Sequence, residues 1–295
     1  MNAAEPVGDQ DQSYQRAYYD RHYARRAAAV REQHVHPLFR SFNERSAALV
    51  LGAAGNSVGP LSVFEIGCGE GLLGSAVERL AAEQGRSVTY TGSDLSASAL
   101  DIAREVVTGR LLVGDASQVA AQLPPASQDV VVAKNLLHHL DDPAGLLATV
   151  MPMLAPGGRV VAFEPRLGCP QFLLFNLLAA RRERHYFEGQ RRNRAAFTTA
   201  GYRVVSCDRF SWLPYELAFV IRPGVFRRLF STSDPATIAK VSSTDDALAK
   251  RLAALACYAV WVGEPAISGT AVPAATASEP DVSDEAGAEG FTNSV

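Results

Sequence analysis

Cysteine, lysine and long apolar runs are all scarce in this chain, and each scarcity removes a class of protein. The four cysteines, Cys68, Cys169, Cys207 and Cys257, are dispersed without a CxxC pair. Neither a disulfide framework nor a thiolate zinc site is expected, and a reducing cytoplasm suits the chain. Lysine occurs only at Lys134, Lys240 and Lys250, a bias of composition to which no functional weight attaches. With 28 basic and 31 acidic side chains the formal charge is -3, which supplies no field to hold a polyanion, so no nucleic-acid partner is expected. The longest apolar run, Phe172 to Ala180 (FLLFNLLAA), is followed at once by RRER. It is about half the 18 residues a membrane span requires, so no membrane partner is expected. The amino terminus, MNAAEPVGDQDQSYQRAYYD, has acidic residues where an export signal needs a basic region and then an apolar one.

What is present is ample apolar material: 295 residues, 47% hydrophobic and 20% charged, enough for one large core and incompatible with wholesale disorder. Tyr14, Tyr18, Tyr19 and Tyr23, then Leu38, Phe39, Phe42, Leu49 and Leu51, recur at helical spacing, with Pro37 dividing two helices. After the turn-rich stretch 53–60 the pattern changes. LSVFEI, SVTYTGSD, RLLVGD, QDVVVAKNLL and GRVVAFEP are short runs rich in Val, Ile, Phe or Tyr. They are separated by stretches long enough for crossover helices, which predicts an α/β fold with a parallel sheet. GYRVVSCDRF predicts a sixth strand and 252–264 a helix end running into a seventh. From Glu264 to Val295 there are six acidic residues and no basic one, predicting an acidic disordered tail over 265–295. Without that segment 28 basic side chains face 25 acidic ones, so the net acidity belongs to the tail.

Three alternating glycines, Gly67, Gly69 and Gly71, follow the first strand and precede a helix in VFEIGCGEGLLG. Lacking Cβ atoms, they let a ligand lie against backbone amides near a helix amino terminus, which points to a nucleoside-containing cofactor. Gly69, Gly71 and Gly74 also satisfy G-x-G-x-x-G, the spacing of a NAD(P)-dependent oxidoreductase. Glu65 weighs against that reading, because a pyrophosphate avoids a nearby anion whereas a cationic cofactor with an amino-acid tail tolerates one. The second strand ends at Asp94, suited to accepting from ribose hydroxyls, and the third in Gly114, Asp115 and Ala116, where a side-chain oxygen suits an adenine amino group. Successive carboxylates thus line the edge where open α/β sheets bind ligands. Cys68, beside Glu65 and Glu70, is expected to pack and not to act as a nucleophile.

FEIGCGEG, Asp94 with Leu95, GDA at 114–116, NLLHHLDDP at 135–143, LAPGGRVVAFEP at 154–165 and GYRVV at 201–205 together resemble the class I S-adenosylmethionine-dependent methyltransferases, in their small-molecule branch. The resemblance covers about 61–210 firmly and 211–264 loosely. It implies an open, doubly wound seven-stranded sheet in the order 3-2-1-4-5-7-6 with strand 7 antiparallel, under a helical cap. It implies S-adenosylmethionine as cofactor, held by Tyr19, Glu65, Gly67, Gly69, Gly71, Asp94, Leu95, Asp115, Ala116 and Asn135. The NPPY or DPPY pattern of nucleic-acid amino methylases is missing, in agreement with the charge balance.

On the acceptor side, methyl transfer is an in-line displacement that needs the acceptor atom at attack distance and a destination for one proton. His139 is the candidate base, since imidazole takes a proton near neutrality, although a histidine in this pattern also serves as a structural donor or packs on the cofactor. His185, in the arginine-rich stretch 166–194, is a second candidate. That stretch suits an acidic substrate or carrier, or simply a solvated helix face. No metal ligand set is evident. The expected organisation is an amino-terminal helical lid over 1–52 and a catalytic domain over 53–264, with acceptor-cap insertions at about 166–200 and 211–250. The chain is expected to act as a monomer or homodimer on a small, moderately apolar metabolite, as in secondary metabolism. A cofactor-binding scaffold that has lost transfer is the alternative from outside enzymology.

Overall fold

The computed structural model describes residues 16–25, 27, 28, 31, 36–55, 59–120, 122–166, 169, 170, 190–211, 213 and 233–266. A helical segment at 16–25 (α1) precedes α2 (Pro37–Ala53). Then follow β1 (Leu61–Ile66), α3 (Leu72–Glu83), β2 (Val88–Asp94), α4 (Ala97–Ala103), β3 (Arg110–Val113), α5 (Ala116–Ala120) and β4 (Gln128–Lys134). The chain continues through a single 3-10 turn at Leu137–His139, α6 (Pro143–Val150), β5 (Leu154–Pro165), α7 (Gln190–Thr199), β6 (Tyr202–Phe210), α8 (Pro235–Arg251) and β7 (Tyr258–Pro265). Pro37 sits at the start of α2, where its fixed φ and missing N–H cost nothing.

The seven strands form one sheet in the order β3-β2-β1-β4-β5-β7-β6. β1 to β5 run parallel, and β7 is antiparallel to both β5 and β6. This is the order and polarity expected from the resemblance. Side chains alternate between faces with a period of two. Val63, Val130, Val132, Val161 and Phe163 meet Leu38, Phe42 and Val50 of α2 and Val77 of α3 on one face. Phe64, Val131, Ala133, Val160 and Trp261 meet Leu147 and Val150 of α6 and Phe197 of α7 on the other. Because both faces are covered, central strands must be apolar almost throughout, which is why they appear in the sequence as runs and not as alternations.

Helices from the expected cap insertions pack onto this domain. Phe197 of α7 stacks on Trp261 with ring centroids 6.3 Å apart. α8 is tied to α2 by Arg45 with Asp245 at 2.7 Å and by Ser41 with Ser242 at 2.6 Å. Residues 171–189, with His185 and with Arg181, Arg182 and Arg184 of the arginine-rich stretch, residues 214–232, Tyr14, and the tail from 267 onward lie outside the described residues. The four cysteines all carry thiols, and those of Cys169 and Cys257 lie side by side, sulfurs 2.8 Å apart. Among the described residues no helix is long and apolar enough to cross a membrane.

Candidate active site

The site is built on the carboxyl ends of β1 to β5, where each strand releases its chain into a turn. After β1, Gly67, Gly69 and Gly71 take φ of 67°, 52° and 79°, left-handed angles that cost a residue with a Cβ but not glycine. The loop is pinned from β2: the Cys68 amide donates to the Ser93 carbonyl at 2.9 Å and the Gly69 amide to Asp94 Oδ2 at 2.9 Å. Asp94 Oδ1 accepts from the Ser96 amide at 2.8 Å. Burial pushes the Asp94 carboxyl up from its ordinary range, and these two amide donors pull it back down. One carboxylate therefore holds the glycine loop in shape while standing at its mouth.

Glu65 lies beneath the loop, 2% exposed. Its Oε2 accepts from the Tyr90 hydroxyl at 2.6 Å. Burial drives its pKa up to about 7, against the downward pull of the Tyr90 hydrogen bond and the Lys134 ammonium. Tyr90 fits because position 74 is glycine: any Cβ there would run into the phenol ring. The last glycine of the apparent G-x-G-x-x-G thus makes room for the partner of Glu65. Cys68 is buried, and burial with Glu65 nearby pushes its thiol well up, so it packs as expected.

β3 joins this edge through the Gly114 amide, which donates to the Asp94 carbonyl at 3.0 Å. Leu95, Asp115 and Ala116 are all half-buried beside it. α1 lies along the same edge. Its Asp20 accepts from Ser96 Oγ at 2.6 Å and from the Ser98 amide at 3.3 Å. The Tyr23 hydroxyl sits against Gly69, and burial, then Glu70 and Asp94, push that phenol well up. Tyr19 meets Tyr23 at 6.5 Å and, edge-on, His139 at 6.2 Å between ring centroids.

The turn after β4 is the least expected part. Asn135 takes a left-handed φ of 53° while its amide donates to the Phe163 carbonyl at 2.8 Å; asparagine tolerates that region better than most residues. The reversal aims successive amides at Glu164, at the end of β5. Glu164 Oε1 accepts from Leu136 at 3.2 Å and Leu137 at 2.8 Å, and Oε2 from the His138 amide at 3.3 Å. His138 Nδ1 lies 2.7 Å from the same Oε2. From α7, Arg192 donates to the Leu140 carbonyl at 2.8 Å. The turn is held at both ends.

The structure thus brings Tyr19, Glu65, Gly67, Gly69, Gly71, Asp94, Leu95, Asp115, Ala116, Asn135 and His139 to one rim. Sequence reasoning missed Tyr90, Asp20, Ser96 and the pairing of His138 with Glu164. The only signal for the last was a glutamate closing a strand two strands along from the glycine loop. Among the described residues no group of three or more His, Cys, Asp or Glu side chains is placed to hold a metal.

Residues 64–160 match a family model described as a methyltransferase domain. The match falls on the stretch from β1 to the start of β5, within a sheet that has the strand order expected of the class I methyltransferase fold. Among curated relatives, it is 36% identical over 102 residues to a ubiquinone biosynthesis O-methyltransferase of Idiomarina loihiensis, covering 33% of this chain and 40% of that one. It is 32% identical over 105 residues to the mitochondrial enzyme of that name from Schizosaccharomyces pombe, covering 34% and 36%. The matches thus span well under half the length of these relatives. Among solved structures, Haemonchus contortus phosphoethanolamine N-methyltransferase 2 with S-adenosyl-L-methionine superposes with a TM-score of 0.51 at 17% identity, over 75% of this chain and 52% of that one. A chain of the Haloferax volcanii complex between the Trm112 methyltransferase activator and a methyltransferase does so with a TM-score of 0.55 at 18% identity, over 84% and 96%. Both likenesses are of fold.

Proposed function

We propose that this chain transfers a methyl group from S-adenosylmethionine to oxygen, nitrogen or carbon of a small, moderately apolar metabolite, of the kind used in natural-product assembly. The observation that carries the reading is the left-handed Gly67–Gly69–Gly71 loop clasped between two carboxylates, Glu65 below and Asp94 at its mouth. The cradle suits a cation with a nucleoside and an amino-acid tail: the loop exposes backbone without side chains, and the flanking groups are anionic. Glu65 and the glycines would take the amino-acid end, Asp94 with Leu95 the ribose, Asp115 and Ala116 the adenine, and Asn135 and Tyr19 the sulfonium side. The bound group would supply an electrophilic methyl carbon there. The names of the curated relatives and the cofactor held by the Haemonchus contortus enzyme support the same reading.

In this reading the expected lid over 1–52 narrows to α1, which Asp20 fastens to Ser96, because α2 packs Leu38, Phe42 and Val50 against the sheet. The segments around 166–200 and 211–250 shape acceptor selectivity, with His185 available from the first, and the protein works in the cytoplasm as a monomer or homodimer. Titration calorimetry tests the core of it. S-Adenosylmethionine should bind at about micromolar concentration, a free energy of roughly -8 kcal/mol, and Asp94→Ala should weaken it at least tenfold. Binding of NAD or NADP in place of the sulfonium would overturn the assignment.

A further inference from the structure

Cys169 and Cys257 are 88 residues apart in the chain, yet their sulfurs lie 2.8 Å apart. Main-chain bonds to one residue set this approach. The Arg166 amide donates to the Cys257 carbonyl at 2.9 Å, extending the pairing of β5 with β7, and the Arg166 carbonyl accepts from the Cys169 amide at 3.2 Å. The Cys257 amide in turn donates to the Ser211 carbonyl at 2.7 Å, just past the end of β6. Both cysteine side chains are buried in the same apolar cluster as Phe210 and Tyr258. A disulfide holds its sulfurs about 2 Å apart, so a movement of less than about 1 Å would join these two. The other cysteines lie elsewhere: Cys68 packs with Leu100 and Ala103, and Cys207 against the opposite face of the sheet.

The surroundings also favour the reactive form of a thiol. Burial and then Arg209 lower the pKa of the Arg166 guanidinium, while Cys207, Cys169 and Cys257 raise it. Attraction between charges is mutual, so a cation at Arg166 favours thiolate in its neighbours. The same guanidinium donates to the Ala253 and Ala256 carbonyls, which fixes it beside the strand that carries Cys257.

We propose that Cys169 and Cys257 form a redox-modification site, a dithiol that a small disulfide converts to an intramolecular disulfide, and that this bond fastens the stretch of chain between β5 and β7. The inference is independent of the methyl-transfer reading. In the step, one cysteine thiolate attacks a sulfur of oxidised glutathione and expels one glutathione thiolate. The second cysteine then displaces the other glutathione from the mixed disulfide. Two cysteine protons and one electron pair pass to glutathione, so one disulfide is broken, one is formed, and two glutathione thiols appear. In a reducing cytoplasm the pair stays as thiols, and the bond marks oxidation, the usual use of a disulfide inside cells. The dispersed spacing that argues against a disulfide framework says nothing about a single pair. The closed loop would contain α7, β6 and α8. Closing it stabilises by restricting the unfolded chain, at little cost to a folded state that already holds the sulfurs together.

Refolding in redox buffers tests this, because it lets the reagent reach thiols that the folded state seals. Full-length protein, reduced and unfolded, is refolded in buffers running from reduced to oxidised glutathione, then quenched in acid, alkylated and digested. With oxidised glutathione in excess, a single link between Cys169 and Cys257 should form, the protein being lighter by two hydrogens and Cys68 and Cys207 recovered as alkylated thiols. The linked form should melt about 4–16 °C above the reduced one. Cys207→Ala should keep that difference, whereas Cys169→Ala and Cys257→Ala should each abolish it. Free thiols at both positions in the most oxidising buffer, glutathione retained on either, or links to Cys68 or Cys207 would overturn the proposal. A linked form that melts no higher than the reduced one would overturn it too. The peptide mapping uses the unaltered sequence, so it decides the matter even if a variant does not fold.

Discussion

Glu65 and Glu164 lie near the carboxyl ends of β1 and β5, two strands apart in the same sheet, and are equally sealed, at 2% and 1% exposure, yet they are treated differently. Glu65 has one hydroxyl donor, from Tyr90, and its pKa rises to about 7. Glu164 has three backbone amides and an imidazole. Burial alone is therefore a poor guide to what a buried carboxylate does, because the donors around it set its role. The first is pushed by burial to titrate at about 7; the second is an anchor that fixes the shape of a turn and one ring.

The sharpest way to break the contrast is Glu164→Ala. It strands three amides and the imidazole around a sealed void, and should cost about 3–5 kcal/mol, the range for removing one side of a buried charged network. Denaturant unfolding followed by circular dichroism reads this, and a loss under 1 kcal/mol would show that the turn holds itself.

Glu65→Gln should act in the opposite direction and depend on pH. An unfolded glutamate titrates near 4.5 and the folded one at about 7, so between those values the folded state holds more protons and wild-type stability falls as pH rises. Glutamine keeps an acceptor for Tyr90 and does not titrate. The variant should exceed wild type by up to about 3 kcal/mol at pH 8, the advantage shrinking toward pH 4.5, while cofactor binding weakens. Melting curves at pH 5 and pH 8 decide it, and a gap independent of pH would contradict the assigned shift.

Ser96→Ala should show the smallest effect. Ser96 Oγ accepts from the Ala99 amide at 3.2 Å as the cap of α4 and donates to Asp20 of α1. Loss of the cap should cost about 1 kcal/mol. Hydrogen exchange should speed up across residues 16–25 more than across α3, if α1 is fastened through this one hydroxyl.

The glycine-loop half of the rim was legible because its information is local. A glycine triplet between a strand and a helix, and carboxylates at the next two strand ends, recur at separations set by single βα units. The strand order was legible only through the family resemblance, and the contacts that seat the helices over 190–199 and 235–251, on Trp261 and on Arg45, join residues far apart in the sequence. His138 and His139 are adjacent and alike in sequence. What separates them is Glu164, 26 residues from His138, brought beside it because β4 and β5 pair in parallel. Likewise nothing local joins Gly74, Tyr90 and Glu65.

By itself, then, the sequence determined an α/β sheet with a glycine cradle at its first turn, because backbone angles and strand periodicity are properties of neighbouring residues. Which glutamate would be left nearly alone with one hydroxyl, and which would gather four donors and fix a histidine ring, was decided only by the tertiary structure. Solvation and hydrogen bonding of a buried charge depend on everything packed around it.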